Sequence, residues 1–206
     1  MKIWLSDAGK RFNRDWIFRH LSCNFTQGHS YAIVGPNGSG KSTLLQLISG
    51  ALAPSEGKIE WGFENKKIDA DKVYEQVSIC APYLEVIEEM TAIEFLAFHG
   101  KFKPFISGIS IENILSVIGL MDAAHKQIRY YSSGMKQRVK LAQAFFSDTP
   151  ILLLDEPCTN LDEAGYALYY RLIKEFSVNR IVIVSSNEEK EISFCEERMN
   201  ILEYKK

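Results

Sequence analysis

The chain has 206 residues, of which 46% are hydrophobic, so it is long enough for one domain with a buried core and short for two. Lysine and arginine number 24 against 26 aspartate and glutamate residues, which gives a formal charge of −2. This balance excludes a strongly basic field, and no nucleic-acid partner is expected. The four cysteines stand far apart without a C-x-x-C pair, so we expect them to be reduced and structural.

Membrane and export signals are not apparent in the sequence. The longest apolar runs, at 151–154 and 181–184, are far shorter than the roughly 20 residues that cross a bilayer. The first residues, M-K-I-W-L-S-D, lack a long apolar stretch followed by a small-residue cleavage site. We therefore expect a cytoplasmic chain that does not itself span a membrane.

Strands are predicted at both the N-terminus and the centre of the fold. Segments 3–5 and 21–25 have the short mixed patterning of antiparallel strands, with polar turn residues between them. Apolar runs at 30–34, 151–154 and 181–185 are each followed by helical spacing. This alternation predicts an α/β fold with a mostly parallel sheet and an N-terminal antiparallel β-layer.

Helices are predicted by the apolar spacing that follows these runs. One begins near Lys41, one covers about 135–146, and the last long one begins near Glu163. Between about Thr91 and Leu120, helical segments broken by glycine and proline show no obvious strand. We interpret this stretch as a helical subdomain, at about 90–145, inserted into a single domain that covers 1–206.

The segment before the first helix has the spacing G-x-x-x-x-G-K-S of the Walker A phosphate-binding loop, and it lies between a strand and a helix. Its glycines let the backbone curl so that N–H groups point at phosphate oxygens. Lys41 would supply charge to the β- and γ-phosphates, the Ser42 hydroxyl would ligate Mg²⁺, and Thr43 would bond a neighbouring phosphate. The alternative is a purely structural glycine-rich turn. The spacing therefore predicts ATP with Mg²⁺ bound by Gly35, Pro36, Asn37, Gly38, Ser39, Gly40, Lys41, Ser42 and Thr43.

An acidic pair ends the apolar run at 151–154. Asp155 and Glu156 would lie at the carboxyl end of a buried strand, the edge where ligands bind in open α/β sheets. Asp155 is expected to orient magnesium through its water shell, and Glu156 to position or polarise the water that attacks the γ-phosphorus. The structural alternative is an exposed acidic turn.

A second polar loop, Y-S-S-G-M-K-Q-R at 131–138, runs into an amphipathic helix. Taken alone, it is explained by Ser132 as the helix N-cap and Gly134 as a flexible turn residue. Its meaning changes in the company of the Walker A loop, the L-L-L-D-E-P run and the N-L-D triplet at 160–162, which appear in this order. Over nearly its whole length the chain thus resembles an ATP-binding cassette (ABC) transporter ATPase subunit, a P-loop NTPase.

The resemblance implies a shared site. Ser132 and Gly134 match the family's signature loop, LSGGQ, while Tyr131, Ser133 and Met135 depart from it. In this family two cassettes face head to tail, so the signature loop of one chain closes on the γ-phosphate held by the other. A second ATP-binding subunit, identical or different, is therefore implied.

Other features of the family are implied in the same way. Separate membrane-spanning subunits would dock at segment 83–95, which would hold the chain at the inner face of the membrane, although ordinary core packing is the alternative for these side chains. An aromatic residue would stack on adenine, with Phe12 the candidate and Trp16 the reserve. For either aromatic, a role in the apolar core is the alternative.

Two positions depart from the family. Pro82 falls where a glutamine contacts magnesium and the attacking water, and Gln76 lies upstream of the preceding strand. Asn187 falls at the switch-loop histidine; it can bond the γ-phosphate but cannot become cationic, or it merely caps the next helix. Because Glu156 is retained, we expect hydrolysis, at a reduced rate.

The leading hypothesis is an ATP-binding and hydrolysing subunit that couples dimer closure to transport, with Glu156, Lys41 and Asn187 as catalytic residues. One alternative is a regulatory or slowly hydrolysing cassette paired with an active one, motivated by Pro82 and Asn187. The other is a soluble ABC ATPase outside transport. Relatives of that kind usually carry two cassettes or long coiled-coil insertions, and neither is seen in this sequence.

Overall fold

The computed structural model describes residues 1–63 and 66–205. Its contacts divide the described chain into two units: the first consists of 1–77, 150–155 and the stretch from Asn179 onward, and the second of 78–149 and 156–178. The sequence-based division, with a helical subdomain at about 90–145, stays a prediction. Within the described residues, no helix combines the length and apolar character needed to traverse a bilayer.

Strands and α-helices are numbered in chain order. The strands are β1 (Lys2–Phe12), β2 (Asp15–Thr26), β3 (Ser30–Val34), β4 (Glu56–Phe63), β5 (Lys66–Ile68), β6 (Val77–Cys80), β7 (Ile151–Asp155), β8 (Ile181–Ser185) and β9 (Glu197–Asn200). The helices are α1 (Lys41–Ile48), α2 (Ala92–Phe102), α3 (Ile111–Val117), α4 (Ser133–Phe145), α5 (Glu163–Phe176) and α6 (Glu189–Ile192).

An antiparallel sheet with the order β2-β1-β4-β5 forms one layer of the first unit, as the sequence predicts. Its first two strands are longer than the predicted segments 3–5 and 21–25, and only Asn13 and Arg14 form the turn between them. The expected polar turn region was therefore wrong in extent. Bulges interrupt the pairing after Leu5, and a bulge breaks the period-2 alternation from which strands are recognised.

The parallel strands β7, β8, β3 and β9 are adjacent in this order in the same unit. Every residue of β7 and β8 is buried, which explains their continuous apolar sequences. These strands confirm the predicted fold class. The sequence did not predict β4, β5 or β9, because these strands are largely polar and partly exposed.

Helix α1 packs its apolar side chains Leu44, Leu45, Leu47 and Ile48 into the core of the first unit. Its C-terminal end is anchored to the antiparallel sheet. The indole Nε1 of Trp61, a β4 residue that is 3% exposed, donates a 2.9 Å hydrogen bond to the carbonyl of Ile48. This bond satisfies a carbonyl that has no partner within the helix.

Four helices dominate the second unit. Capping boxes start α2 at Thr91 and α3 at Ser110, and the described stretch 91–120 contains no strand, which agrees with the helical character predicted for this part of the chain. Helices α4 and α5 pack through aromatic rings, with the Phe145 and Tyr169 ring centroids 6.3 Å apart. Both helices begin where the sequence predicts, near Ser132 and Glu163.

Candidate functional site

The predicted phosphate loop leaves β3 at Gly35 and enters α1 after Gly40. Gly40 has a φ of 107°, and a Cβ there would lie 2.4 Å from Cγ2 of Ile17. Gly38 has a φ of 75°, and no described atom lies within 4 Å of a Cβ placed there. Glycine is thus required sterically at one position and conformationally at the other, and the loop is curled as a phosphate cradle must be.

Positive charge and hydroxyl groups gather where this loop meets α1. Lys41 is 5% exposed, and its Nζ donates to the carbonyl of Gly35 at 2.7 Å and lies 3.5 Å from that of Pro36. Ser42 and Thr43 are half-buried in the first turn of α1, which contains no acidic residue. The positive end of the helix is therefore not neutralised locally, and these groups suit a polyphosphate.

Asp155 is a buried carboxylate at the carboxyl end of β7. It pairs with Ser185 of β8, which pairs with Ile33 of β3, so it lies two strand spacings, about 10 Å, from the strand that leads to the phosphate loop. Asp155 is 2% exposed, and the hydroxyl oxygens of Ser39 in the phosphate loop and of Ser185 beside Asp155 are buried without a hydrogen-bond partner in the described part of the chain. A carboxylate at the carboxyl edge of the sheet can bind a cation near the phosphate loop. With Ser42 it offers only oxygen ligands, which fits Mg²⁺.

Asn187 contacts the phosphate loop directly. Its Oδ1 accepts a 3.0 Å hydrogen bond from the backbone N–H of Gly35, whose carbonyl accepts from Lys41. The N-cap of α6 is Glu188, without a side-chain cap bond, so the alternative that Asn187 caps this helix was wrong. The amide is already engaged with the first peptide group of the loop.

Glu156 begins a tight turn in the second unit. Its φ is 44°, a left-handed conformation that is unusual for a residue other than glycine. The backbone N–H and the hydroxyl of Thr159 both donate to the carbonyl of Glu156, at 3.2 and 2.9 Å. Gln137 of α4 donates to the carbonyl of the next residue, Pro157, at 2.6 Å. The turn is thus held by three hydrogen bonds.

The segment predicted as the signature loop is the N-terminus of α4. The exposed Ser132 is its N-cap and accepts from the backbone N–H of Met135 at 3.2 Å. A Cβ on Gly134 would lie 3.1 Å from the carbonyl oxygen of Asn160, so a larger residue would crowd the turn at 160–162. Tyr131, where the family has leucine, is buried and donates its hydroxyl to the carbonyl of Ala123 at 2.6 Å.

A cavity of about 490 Å³ opens at this helix end. Ser132, Gly134, Arg138, Asn160 and Asp162 contribute to its lining. The structure therefore places the two predicted signature residues in a concave surface beside the N-L-D triplet.

The two candidate aromatic residues differ in how accessible their rings are to a stacking base. Phe12 is 47% exposed at the end of β1, with Nζ of Lys10 at 5.4 Å from its ring centroid. The guanidinium of Arg19 lies 4.2 Å from the ring centroid of Trp16, and Arg11 also lies over that ring. Each ring has a cation near it, but Trp16 has two and is less exposed than Phe12, so Phe12 is the better candidate for stacking on a base.

Pro82 follows β6 with an exposed side chain, and its carbonyl accepts a 3.2 Å hydrogen bond from Nζ of Lys140 on α4. Gln76 precedes β6, at the opposite end of the strand from Pro82. It therefore does not take the position of the missing glutamine.

Sequence reasoning missed one polar residue next to these segments. Gln137 lies within the 131–138 motif, where its sequence position indicates no separate role, yet it is 4% exposed and donates a hydrogen bond to the Glu156 turn. It could have been recognised because it starts a stripe of helical spacing that is otherwise apolar. The other members of that stripe are Leu141, Ala144 and Phe145.

Comparisons with known proteins agree with this geometry. The family model described as "ABC transporter" matches residues 18–159. The chain is 35% identical over 185 residues to the uncharacterized ABC transporter ATP-binding protein YxlF of Bacillus subtilis, covering 86% of this chain and 60% of YxlF. It is 30% identical over 178 residues to the cytochrome c biogenesis ATP-binding export protein CcmA of Agrobacterium fabrum, covering 84% of this chain and 83% of CcmA.

Solved structures share the fold. A putative ABC transporter ATP-binding protein from Pyrococcus furiosus superimposes with a TM-score of 0.84 at 22% identity, over 100% of both chains. The dimeric bacterial ABC transporter cassette MJ0796 gives a TM-score of 0.81 at 23% identity, over 97% of this chain and 94% of the other. The family model and the identities to curated relatives show that the chain belongs to the ATP-binding subunits of ABC transporters.

Proposed function

We propose that this chain binds and hydrolyses Mg-ATP in a site completed by a second ATP-binding subunit, and couples that reaction to transport through separate membrane subunits. ABC cassettes are ATPases that bind ATP, generally with Mg²⁺. The observation that carries the proposal is the carboxyl edge of the parallel sheet, where the buried Asp155 lies beside the strand that neighbours the Lys41 loop. A purely structural turn does not require a lysine and a carboxylate at the same edge of the sheet.

Each residue then has one role. Gly35 to Thr43 hold the polyphosphate through backbone N–H groups and hydroxyls, and Lys41 neutralises charge on the β- and γ-phosphates. Glu156 positions the attacking water and accepts its proton. Mg²⁺, held by Ser42 and Asp155, would supply charge stabilisation at the phosphate oxygens when bound.

A second chain would complete the site. Ser132 and Gly134 lie at the N-terminus of α4, where the backbone N–H groups and the serine hydroxyl suit an anion. That end belongs to a cavity, which leaves room for a partner's nucleotide. The similar cassette MJ0796 is described as a dimer, which supports this arrangement.

The segment after β6 is the proposed contact with membrane subunits, which would keep the chain peripheral at the cytoplasmic face of the membrane. Tyr83 is 46% and Ile87 37% exposed, whereas Val86 is buried at 7%. The exposed apolar groups alternate with Glu85, Glu88 and Glu89. Such a mixed surface suits a short amphipathic helix of a membrane protein.

Slow turnover is favoured by two observations. Pro82 offers only a backbone carbonyl, already bonded to Lys140, where the family has a glutamine side chain. Asn187 is neutral, and its Oδ1 is occupied by Gly35. Pro82 lacks a side-chain donor and Asn187 lacks a positive charge to stabilise the transition state, so we propose a lower rate than in cassettes with glutamine and histidine at these positions.

The test compares phosphate release by the unchanged chain with that of Glu156→Gln and Lys41→Ala in Mg-ATP. Hydrolysis should require Glu156, while nucleotide binding, measured by thermal shift, should require Lys41. Glu156→Gln should also form an ATP-dependent dimer in light scattering, because it retains ATP without cleaving it. Equal phosphate release from the unchanged chain and Glu156→Gln would reject the catalytic assignment.

A further inference from the structure

Gln137 lies at the centre of a small polar network in the second unit. Its side chain is 4% exposed, and Nε2 donates to the carbonyl of Pro157 at 2.6 Å and approaches Sγ of Cys80 at 3.6 Å. An apolar residue of this size would fill the same space. A buried amide is retained at a cost unless its hydrogen bonds are needed.

The hydrogen bond from Gln137 to Pro157 lies next to the proposed general base, Glu156. Glu156 has a left-handed φ of 44°, a conformation that persists only when surrounding contacts enforce it. Thr159 holds the carbonyl of Glu156, and Gln137 holds the carbonyl of Pro157. The two bonds fix consecutive peptide groups, and so the direction in which the Glu156 side chain leaves the backbone.

The same helix begins at the signature residues. Ser132 caps α4, and Gln137 follows five positions later, about 7.5 Å along the helix axis. A shift of this short helical segment would therefore move the donor that holds Pro157. The contact at the N-terminus of α4 and the Glu156 turn are joined by one rigid element and one buried hydrogen bond.

We propose that Gln137 is a positioning residue for Glu156, and that it makes the placement of the general base depend on the position of the signature helix. This inference rests on the proposed function. In a two-chain site the signature residues contact the partner's nucleotide, whereas Glu156 acts on the nucleotide of its own chain. Gln137 thus links nucleotide binding in the partner's site to the position of the general base Glu156 in this chain's own site.

The experiment replaces Gln137 with methionine, which has a similar size and helix propensity but no donor. We expect kcat for ATP to fall about tenfold and KM to stay within about twofold, because the lost bond affects orientation and not nucleotide binding. In Glu156→Gln, adding Gln137→Met should cause little further loss, since both act on one group. The matched control is Gln143→Met on the same helix, whose side chain makes no hydrogen bond among the described residues.

A second variant separates positioning from general stability. In Gln137→Glu, the ionised carboxylate cannot donate to Pro157, whereas the protonated acid can. Its kcat relative to that of the unchanged chain should therefore rise as the pH falls. A flat ratio, or a Gln137→Met protein with a lower Tm and unchanged kcat, would overturn the inference. If the proposed function is itself wrong, the unchanged chain will release no more phosphate than Glu156→Gln. That comparison is made before the Gln137 variants are tested.

Discussion

Asp155→Asn should make the protein more stable and less able to use magnesium. Asp155 is 2% exposed, and holding a carboxylate away from water costs about 1–3 kcal/mol more than holding a neutral group of the same shape there. Asparagine keeps the shape but removes the charge. A gain of about 1–2 kcal/mol is therefore expected, and in a chain of this size it corresponds to a Tm higher by about 2–8 °C.

Magnesium should add to the stabilisation by nucleotide in the unchanged chain but not in Asp155→Asn. At a nucleotide concentration of about 100 Kd, binding stabilises the native state by about 2.7 kcal/mol, or a Tm increase of about 5–11 °C. The unchanged chain should show this increase with Mg-ATP and a smaller one with ATP and EDTA, and Asp155→Asn should show no such difference.

The assay is a thermal melt with and without each ligand. Asp148→Asn, at an exposed acid in the second unit, is the control and should leave both quantities unchanged. A lower Tm for Asp155→Asn, or a retained magnesium effect, would refute the reasoning that this carboxylate is held for a cation.

Two further predictions concern the second unit. In the Glu156→Gln background, Gly134→Ala should weaken ATP-dependent dimer formation several-fold, because its Cβ would lie 3.1 Å from the Asn160 carbonyl. The nucleotide thermal shift of the monomer should stay intact. Light scattering measures the dimer, and an unchanged dimer would contradict this prediction. Burial lowers the pKa of His99 from 6.5 to about 4, so the unfolded chain binds a proton first and stability should fall as the pH drops from 6.5 toward 4. Melts across this range should show a shallower slope for His99→Gln, and an identical slope would exclude the role of His99.

The parts of the fold that the sequence predicts are those whose physics is local. Strands β7 and β8 are continuous apolar runs because both their faces are buried, and α5 begins at Glu163 because Asp162 caps it. Strand β4 was missed because its polar residues are placed by pairing with β1, a contact between distant parts of the chain. The local sequence pattern of β4 does not indicate its pairing with β1.

The same division holds for the candidate site. Walker A residues follow from spacing within one loop, and the structure finds that loop curled as expected. The bond between Asn187 and Gly35 joins residues 152 positions apart, and that between Gln137 and Pro157 joins residues 20 apart. No local motif indicates either hydrogen bond, so both could be identified only from the folded structure.

The indole of Trp61 gives this protein an internal spectroscopic probe. The chain has three tryptophans, and Trp4 and Trp16 have partly exposed rings whereas Trp61 is buried. Its N–H holds the carbonyl of Ile48, at the opposite end of α1 from the phosphate loop. Blue-shifted emission from this one ring would therefore report, without any added label, how α1 moves when its other end takes up a nucleotide.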